Sequence, residues 1–99
     1  MKNRFIVCVN KSTEIQEKEF FDACAVRGFG WWHYLSNTWL LVREGDNIAV
    51  AEIRDLVIKY FDDEYNMVFK LNENEGTWAG FGPASEDKNM YKWIWDYWK

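Results

Sequence analysis

The sequence predicts a single α+β domain, and three observations carry that expectation. Runs of β-branched and aromatic residues alternate with stretches of helical period. A length of 99 residues leaves room for one domain and one core. A hydrophobic content of 48%, with 19% aromatic, is enough to fill that core.

The elements follow in order. Arg4 to Asn10 (RFIVCVN) is apolar and β-branched, a buried strand. Lys11-Ser12-Thr13 breaks it, and Thr13 with Gln16 has the spacing of a capping box, so a helix begins there. Ile15, Phe20, Ala23 and Cys24 are expected to share its buried face, and Gly28 stands where a C′ glycine ends a helix. Trp31 to Leu35 and Thr38 to Val42 are aromatic-rich strands around the two-residue turn Ser36-Asn37, which reads as a hairpin.

The loop from Arg43 to Asn47 ends in a residue suited to N-capping, and Ile48 to Phe61 is the clearest helix. Ile53, Leu56, Val57 and Tyr60 fall on one face of a 3.6-residue period. Tyr65 to Leu71 alternates as a half-buried strand near an edge, with Tyr65, Met67, Phe69 and Leu71 on its apolar side. A long irregular stretch, 72–87, contains Trp78-Ala79-Gly80-Phe81-Gly82-Pro83. Lys88 to Lys99 reads as a short helix with a Met90, Trp93, Ile94, Tyr97, Trp98 stripe.

Strand, helix, strand, strand, helix, strand, helix is the order of a ferredoxin-like βαββαβ unit, residues 1–99, with an additional C-terminal helix. In that arrangement an antiparallel sheet carries both crossover helices on one face. The hairpin is nonetheless apolar on both faces, so something must cover the second one. The C-terminal helix and a second copy of the chain are the two candidates, and a homodimer or higher homo-oligomer is expected, with that helix at the seam.

Charge and cysteine content narrow the function classes. The net charge is −4, with no basic stripe of the kind that neutralises the phosphates of a duplex nucleic acid. The acids cluster at Asp62-Asp63-Glu64, Glu73/Glu75 and Glu86-Asp87, as solvated loops or as a surface for a basic protein partner. Cys8 and Cys24 read as buried free thiols in a reducing compartment. No run reaches transmembrane length and the start lacks a signal-peptide core, so a cytoplasmic protein, away from membranes, is expected.

Trp31-Trp32-His33-Tyr34-Leu35, two turn residues and Thr38-Trp39 together resemble the signature of SinR-like small proteins. The Glu52-Ile53-Arg54-Asp55 stretch, Trp78-Ala79-Gly80-Phe81 and the Trp95-Asp96-Tyr97-Trp98-Lys99 ending fit the same pattern in order. The resemblance implies a ferredoxin-like fold similar to the small CRISPR adaptation nuclease subunit. In nuclease relatives an acidic residue at the end of the first strand binds a divalent metal. The matching position here is Asn10, whose amide lacks the negative charge that a hard cation site uses.

The candidate binding residues are Asn10, Lys11, Trp32, His33, Trp39, Arg43 and Trp78. Lys11-Ser12-Thr13 opens a helix whose N–H groups could hold an anion, or simply caps it. His33 lacks a sequence-adjacent acid or a second histidine, which favours a packed role over general-base work. Gly80-Phe81-Gly82 lacks the third glycine of a dinucleotide fingerprint. Trp39, Leu41 and Arg43 share one side of a strand, and an indole beside a guanidinium suits a flat, anionic ligand.

The leading expectation is therefore a non-enzymatic protein, without cofactor or metal, that captures a nucleotide-like small molecule. Viral counter-defence proteins that sequester an immune signal are the analogy. The alternatives are an acidic inhibitor of a basic protein, and a divergent metal-dependent nuclease using Asp55 or Asp63.

Overall fold

The computed structural model describes residues 1–62, 64–71, 84, 86 and 89–98. Its elements are β1 (Lys2–Val9), α1 (Glu14–Val26), β2 (Gly30–Leu35), β3 (Thr38–Glu44), α2 (Val50–Tyr60), β4 (Asn66–Leu71) and α3 (Met90–Trp93). A π-helical turn, Ile94–Trp98, continues α3. The four strands form one antiparallel sheet in the order β2-β3-β1-β4. This is the ferredoxin-like α+β fold, with an added C-terminal helix.

Local chemistry sets the boundaries of α1. Thr13 Oγ1 accepts from the Gln16 N–H at 3.2 Å, and Gln16 Oε1 accepts from the Thr13 N–H at 3.0 Å, so the capping box closes both ways. Gly28, at φ 81°, takes the left-handed conformation that lets the chain leave the helix. Phe20, Ala23 and Cys24 are buried. Ile15 is exposed instead, because five residues separate it from Phe20 and carry it round to another side of the helix.

The start of α2 departs from the sequence expectation. Its N-cap is Ala49, without a side-chain hydrogen bond. Asn47 serves elsewhere: its Oδ1 accepts from Lys70 Nζ. The loop before α2 is held by Asn3, a fully buried side chain on β1. Asn3 Nδ2 donates to the carbonyls of Arg43 (3.2 Å) and Asp46 (2.9 Å), and Asn3 Oδ1 accepts from the Ile48 N–H at 3.0 Å. One buried amide thus supplies three loop groups that would otherwise lack partners. It also lets Ile48 enter the core ahead of the helix.

The two faces of the sheet are covered differently. On one, Phe5, Val7, Val9, Trp39 and Leu41 pack with Phe20, Cys24, Ile53, Val57 and Phe61 of the helical layer. On the other, Trp32, Leu40 and Val42 are buried by Ile94 and Trp98. The C-terminal segment therefore covers its own sheet over β2 and β3. It is tied down from β1, where Lys2 Nζ donates to the Tyr97 carbonyl and Arg4 Nε to that of Trp98. Tyr97 turns outward, since the wider π-turn alters the angular spacing of the expected stripe.

In the edge strand β4 the expected burial is reversed except at Leu71, which packs against the second cluster. Tyr65, just before it, is 83% exposed, and Met67 and Phe69 are 57% and 52% exposed. Val68 packs on the main core instead. Lys70, on the same side as Val68, lays its ammonium 5.6 Å above the Phe5 ring and donates to Asn47 Oδ1 and the Ile48 carbonyl. A lysine whose charge is satisfied at the rim can lie along an apolar face.

Candidate functional site

The sheet brings chemistry-bearing residues together at its two ends. The β1–β3 register runs from Lys2↔Glu44 to Cys8↔Thr38. About 20 Å of strand separates Asn3 from Val9 at the usual rise per residue. Arg43 belongs to the first end, and Asn10, Lys11 and His33 to the second.

At the second end His33 is the centre. A shift in the β2–β3 register lies between Trp32 and Leu35. There His33 stacks on Trp39 with ring centroids 4.0 Å apart and planes 3° from parallel. Its Nδ1 lies 3.0 Å from the Thr38 carbonyl and its Nε2 3.2 Å from Glu17 Oε1. Glu17 Oε2 also accepts from Ser12 Oγ at 2.8 Å. Both neighbours of the imidazole are acceptors, so the ring satisfies both only when both nitrogens donate. Neither nitrogen is then left for a substrate, and the serine contacts the carboxylate rather than the histidine, unlike a catalytic triad.

The other polar groups there are also bound within the chain. Asn10 Nδ2 donates to Glu64 Oε1 at 3.0 Å and Gln16 Nε2 to Asp62 Oδ2 at 3.1 Å. Lys11 is exposed. Among the described residues no three His, Cys, Asp or Glu side chains gather as a cation site. Asp55 sits at the opposite end from Asn10, bonded to its neighbour Arg54. Asp63, Trp78 and Gly80-Phe81-Gly82 lie outside the described residues.

The first end is built differently. A cleft of about 280 Å³ lies between the end of α1, β3 and α2, lined by Arg27, Phe29, Arg43, Ile48, Ile53 and Leu56, with Glu52, Asp55 and Lys59. Phe29, Ile48, Ile53 and Leu56 are buried and form an apolar floor. The centre of the Arg43 guanidinium lies over the Phe29 ring, 5.1 Å from its centroid. It donates to the Arg27 carbonyl at 3.3 Å, and Arg27 Nη1 donates to the Ala23 carbonyl at 3.0 Å. Each guanidinium thereby neutralises the carbonyl-rich end of α1 with part of its five-donor fork. Among the described residues no carboxylate forms an ion pair with Arg27, Arg43 or Lys59. Arg43 also lines an adjoining cleft of about 390 Å³, with Lys2, Gly28, Gly30, Val42, Glu44, Asp96 and Tyr97.

The structure distributes the sequence candidates rather than assembling them. Trp39 is fully buried among Phe20, Phe21, His33 and Phe61. The indole and guanidinium pair expected on β3 does not form a common surface, and Phe29 is the ring under Arg43. Trp32 faces the C-terminal segment. Cys24 is buried and its thiol is pushed up to about 12 by that burial, whereas Cys8 is half-buried. Arg27, Phe29 and Lys59 escaped the sequence reading. The available signal was Arg27 directly before the helix-ending Gly28, a position where a cation meets free carbonyls.

Compared with known protein families, curated proteins and solved structures, the chain matches none.

Proposed function

We propose that this chain is a non-enzymatic binding protein that captures a nucleotide-like small molecule, with the ligand's anionic group in the Arg27–Arg43–Lys59 cleft. One observation carries the reading. In a chain of net charge −4, three cations surround an apolar-floored cleft without a carboxylate partner among the described residues. The Arg43 guanidinium, centred 5.1 Å from the Phe29 ring centroid, offers a planar fork to a phosphate or carboxylate. The buried aliphatic floor suits the apolar body of the same ligand, and Glu52 and Asp55 at the rim can accept from its amino or hydroxyl groups. Sequestration rather than turnover fits the other end of the sheet, where His33 and Glu17 are already committed to each other.

The test is a calorimetric and thermal-shift titration of the full chain with mononucleotides, dinucleotides and cyclic nucleotides. A ligand at a hundredfold excess over its Kd stabilises the fold by about 2.7 kcal/mol, a Tm rise on the order of 10 °C for a domain of this size. Arg27→Ala/Arg43→Ala removes the response. Silence from every member of the panel, or a response that survives the double substitution, overturns the proposal.

A further inference from the structure

The outer edge of β4, unpaired among the described residues, has the pattern of a self-complementary strand, and the geometry points to a two-fold dimer in which β4 pairs with β4 of a second copy to give one continuous eight-stranded sheet. Among the described residues β4 pairs with β1 alone and lies at the end of the sheet. The phase of its hydrogen bonds is fixed by the Asn10 N–H, which donates to the Tyr65 carbonyl at 2.8 Å. In an antiparallel ladder both main-chain groups of a residue point to the same side. Tyr65, Met67 and Phe69 therefore turn theirs toward β1. Asn66, Val68 and Lys70 turn theirs outward.

Two-fold symmetry then limits the register. Outward residues must meet outward residues, and each pairing must be reciprocal. A strand of Asn66–Leu71 pairs all three of its outward residues with one another only when the axis passes through Val68. Val68 then faces its own copy across two main-chain hydrogen bonds, and Asn66 faces Lys70 in both directions. No two like charges are opposed, and the Lys70 ammonium is already held on its own chain.

The side chains agree with this register. Between the hydrogen-bonded pairs lie the closer positions, with Cα atoms about 4.5 Å apart. These place Met67 opposite Phe69 of the second copy, and Phe69 opposite Met67. Both are more than half exposed on the single chain. Tyr65 meets Leu71 in the same way. The stripe that β4 turns away from the helices is thus extended across the seam by its own copy. The C-terminal segment is occupied on Trp32, Leu40 and Val42 of its own sheet, and the β4 stripe adjoins that cluster at Leu71, leaving Met67 and Phe69 exposed. An unpaired edge with adjacent apolar side chains otherwise recruits other strands.

Sedimentation equilibrium and native mass spectrometry of the full chain test the proposal, with circular dichroism to confirm folding of each variant. The wild type gives the mass of two chains. Met67→Lys/Phe69→Lys sets cations against each other in this register and gives one chain. Met67→Lys/Phe69→Glu sets each cation against an anion and restores the dimer. Amide hydrogen exchange supplies a readout without substitution: the Asn66, Val68 and Lys70 amides are protected in the dimer and become fast on dilution. A monomeric wild type overturns the proposal. So do two variants of equal mass, or outward amides that exchange freely at every concentration.

Discussion

At one end of the helix-covered face, polar side chains are bound to one another; at the other, cations face a cleft. The His33 end joins Ser12, Glu17, His33 and the Thr38 carbonyl into a chain of hydrogen bonds. The Arg43 end anchors two guanidinium groups to the carbonyls of α1 and leaves them without carboxylate partners among the described residues. Both ends hold the residue types from which sites are made. The difference is whether the protein has already used them. A committed histidine–glutamate pair fixes β2 to α1, while a guanidinium anchored through part of its fork retains other donors for a ligand.

Asn3 gives the largest expected effect, and it couples stability to binding at the Arg43 end. Asn3→Ala strips partners from two carbonyls and the Ile48 N–H, and unsatisfied buried groups cost about 1–3 kcal/mol each. The expected loss is about 3 kcal/mol after some hydration, a Tm on the order of 15 °C lower, measured by thermal and urea unfolding. Because the Arg43 carbonyl is one of its acceptors, the same variant also weakens ligand capture. Unchanged stability would show that the loop does not depend on this amide.

Glu17 and His33 give a smaller effect confined to one end. A double-mutant cycle with Glu17→Ala and His33→Phe should return a coupling of about 1–2 kcal/mol in chemical unfolding. Ligand affinity should not move. A change in affinity would link the two ends and erase the contrast between them.

Trp39 gives the smallest effect. Its Nε1 is buried without a partner among the described residues, so it carries a cost that most core aromatics do not. Trp39→Phe relieves that cost while giving up volume and part of the stacking on His33. The two terms oppose, and a change of less than about 1 kcal/mol is expected. Truncation of a buried aromatic to alanine usually costs 3–5 kcal/mol. A loss of that size on unfolding would mean that the indole N–H is satisfied in solution.

The fold was legible because its signals are local. The Thr13–Gln16 box, Gly28, the Ser36-Asn37 turn and the 3.6 period of Ile53, Leu56 and Val57 each lie within a few residues. What was not legible depends on partners far apart in the chain. His33 has no acid beside it in sequence, yet Glu17 arrives from α1, 16 positions earlier. Asn3 reads as an ordinary polar residue at a strand start until its three partners, 40 to 45 positions away, are in place. In β4, alternation shows that two faces exist but not which of them the helices cover. A lysine on the covered side defeats the usual inference, because its ammonium finds Asn47 and Ile48 at the rim. Among the described site candidates only Arg43 lies in the cleft, and its aromatic partner, Phe29, came from the connection between α1 and β2.

The ties from Lys2 and Arg4 to Tyr97 and Trp98 set a timetable for the nascent chain. Arg4 and its carbonyl partner are 94 positions apart, roughly 5–20 s of synthesis at ordinary elongation rates. Of the four strands of this sheet, the earliest in the chain is an interior strand, flanked by β3 and β4 and tied to the C-terminal segment. It leaves the ribosome long before any of them. Until they arrive, its second face, with Arg4, Ile6 and Cys8, has nothing of its own chain to rest on. The second face of this sheet is therefore completed only once the C-terminal segment has been made, and the domain closes as one unit rather than strand by strand.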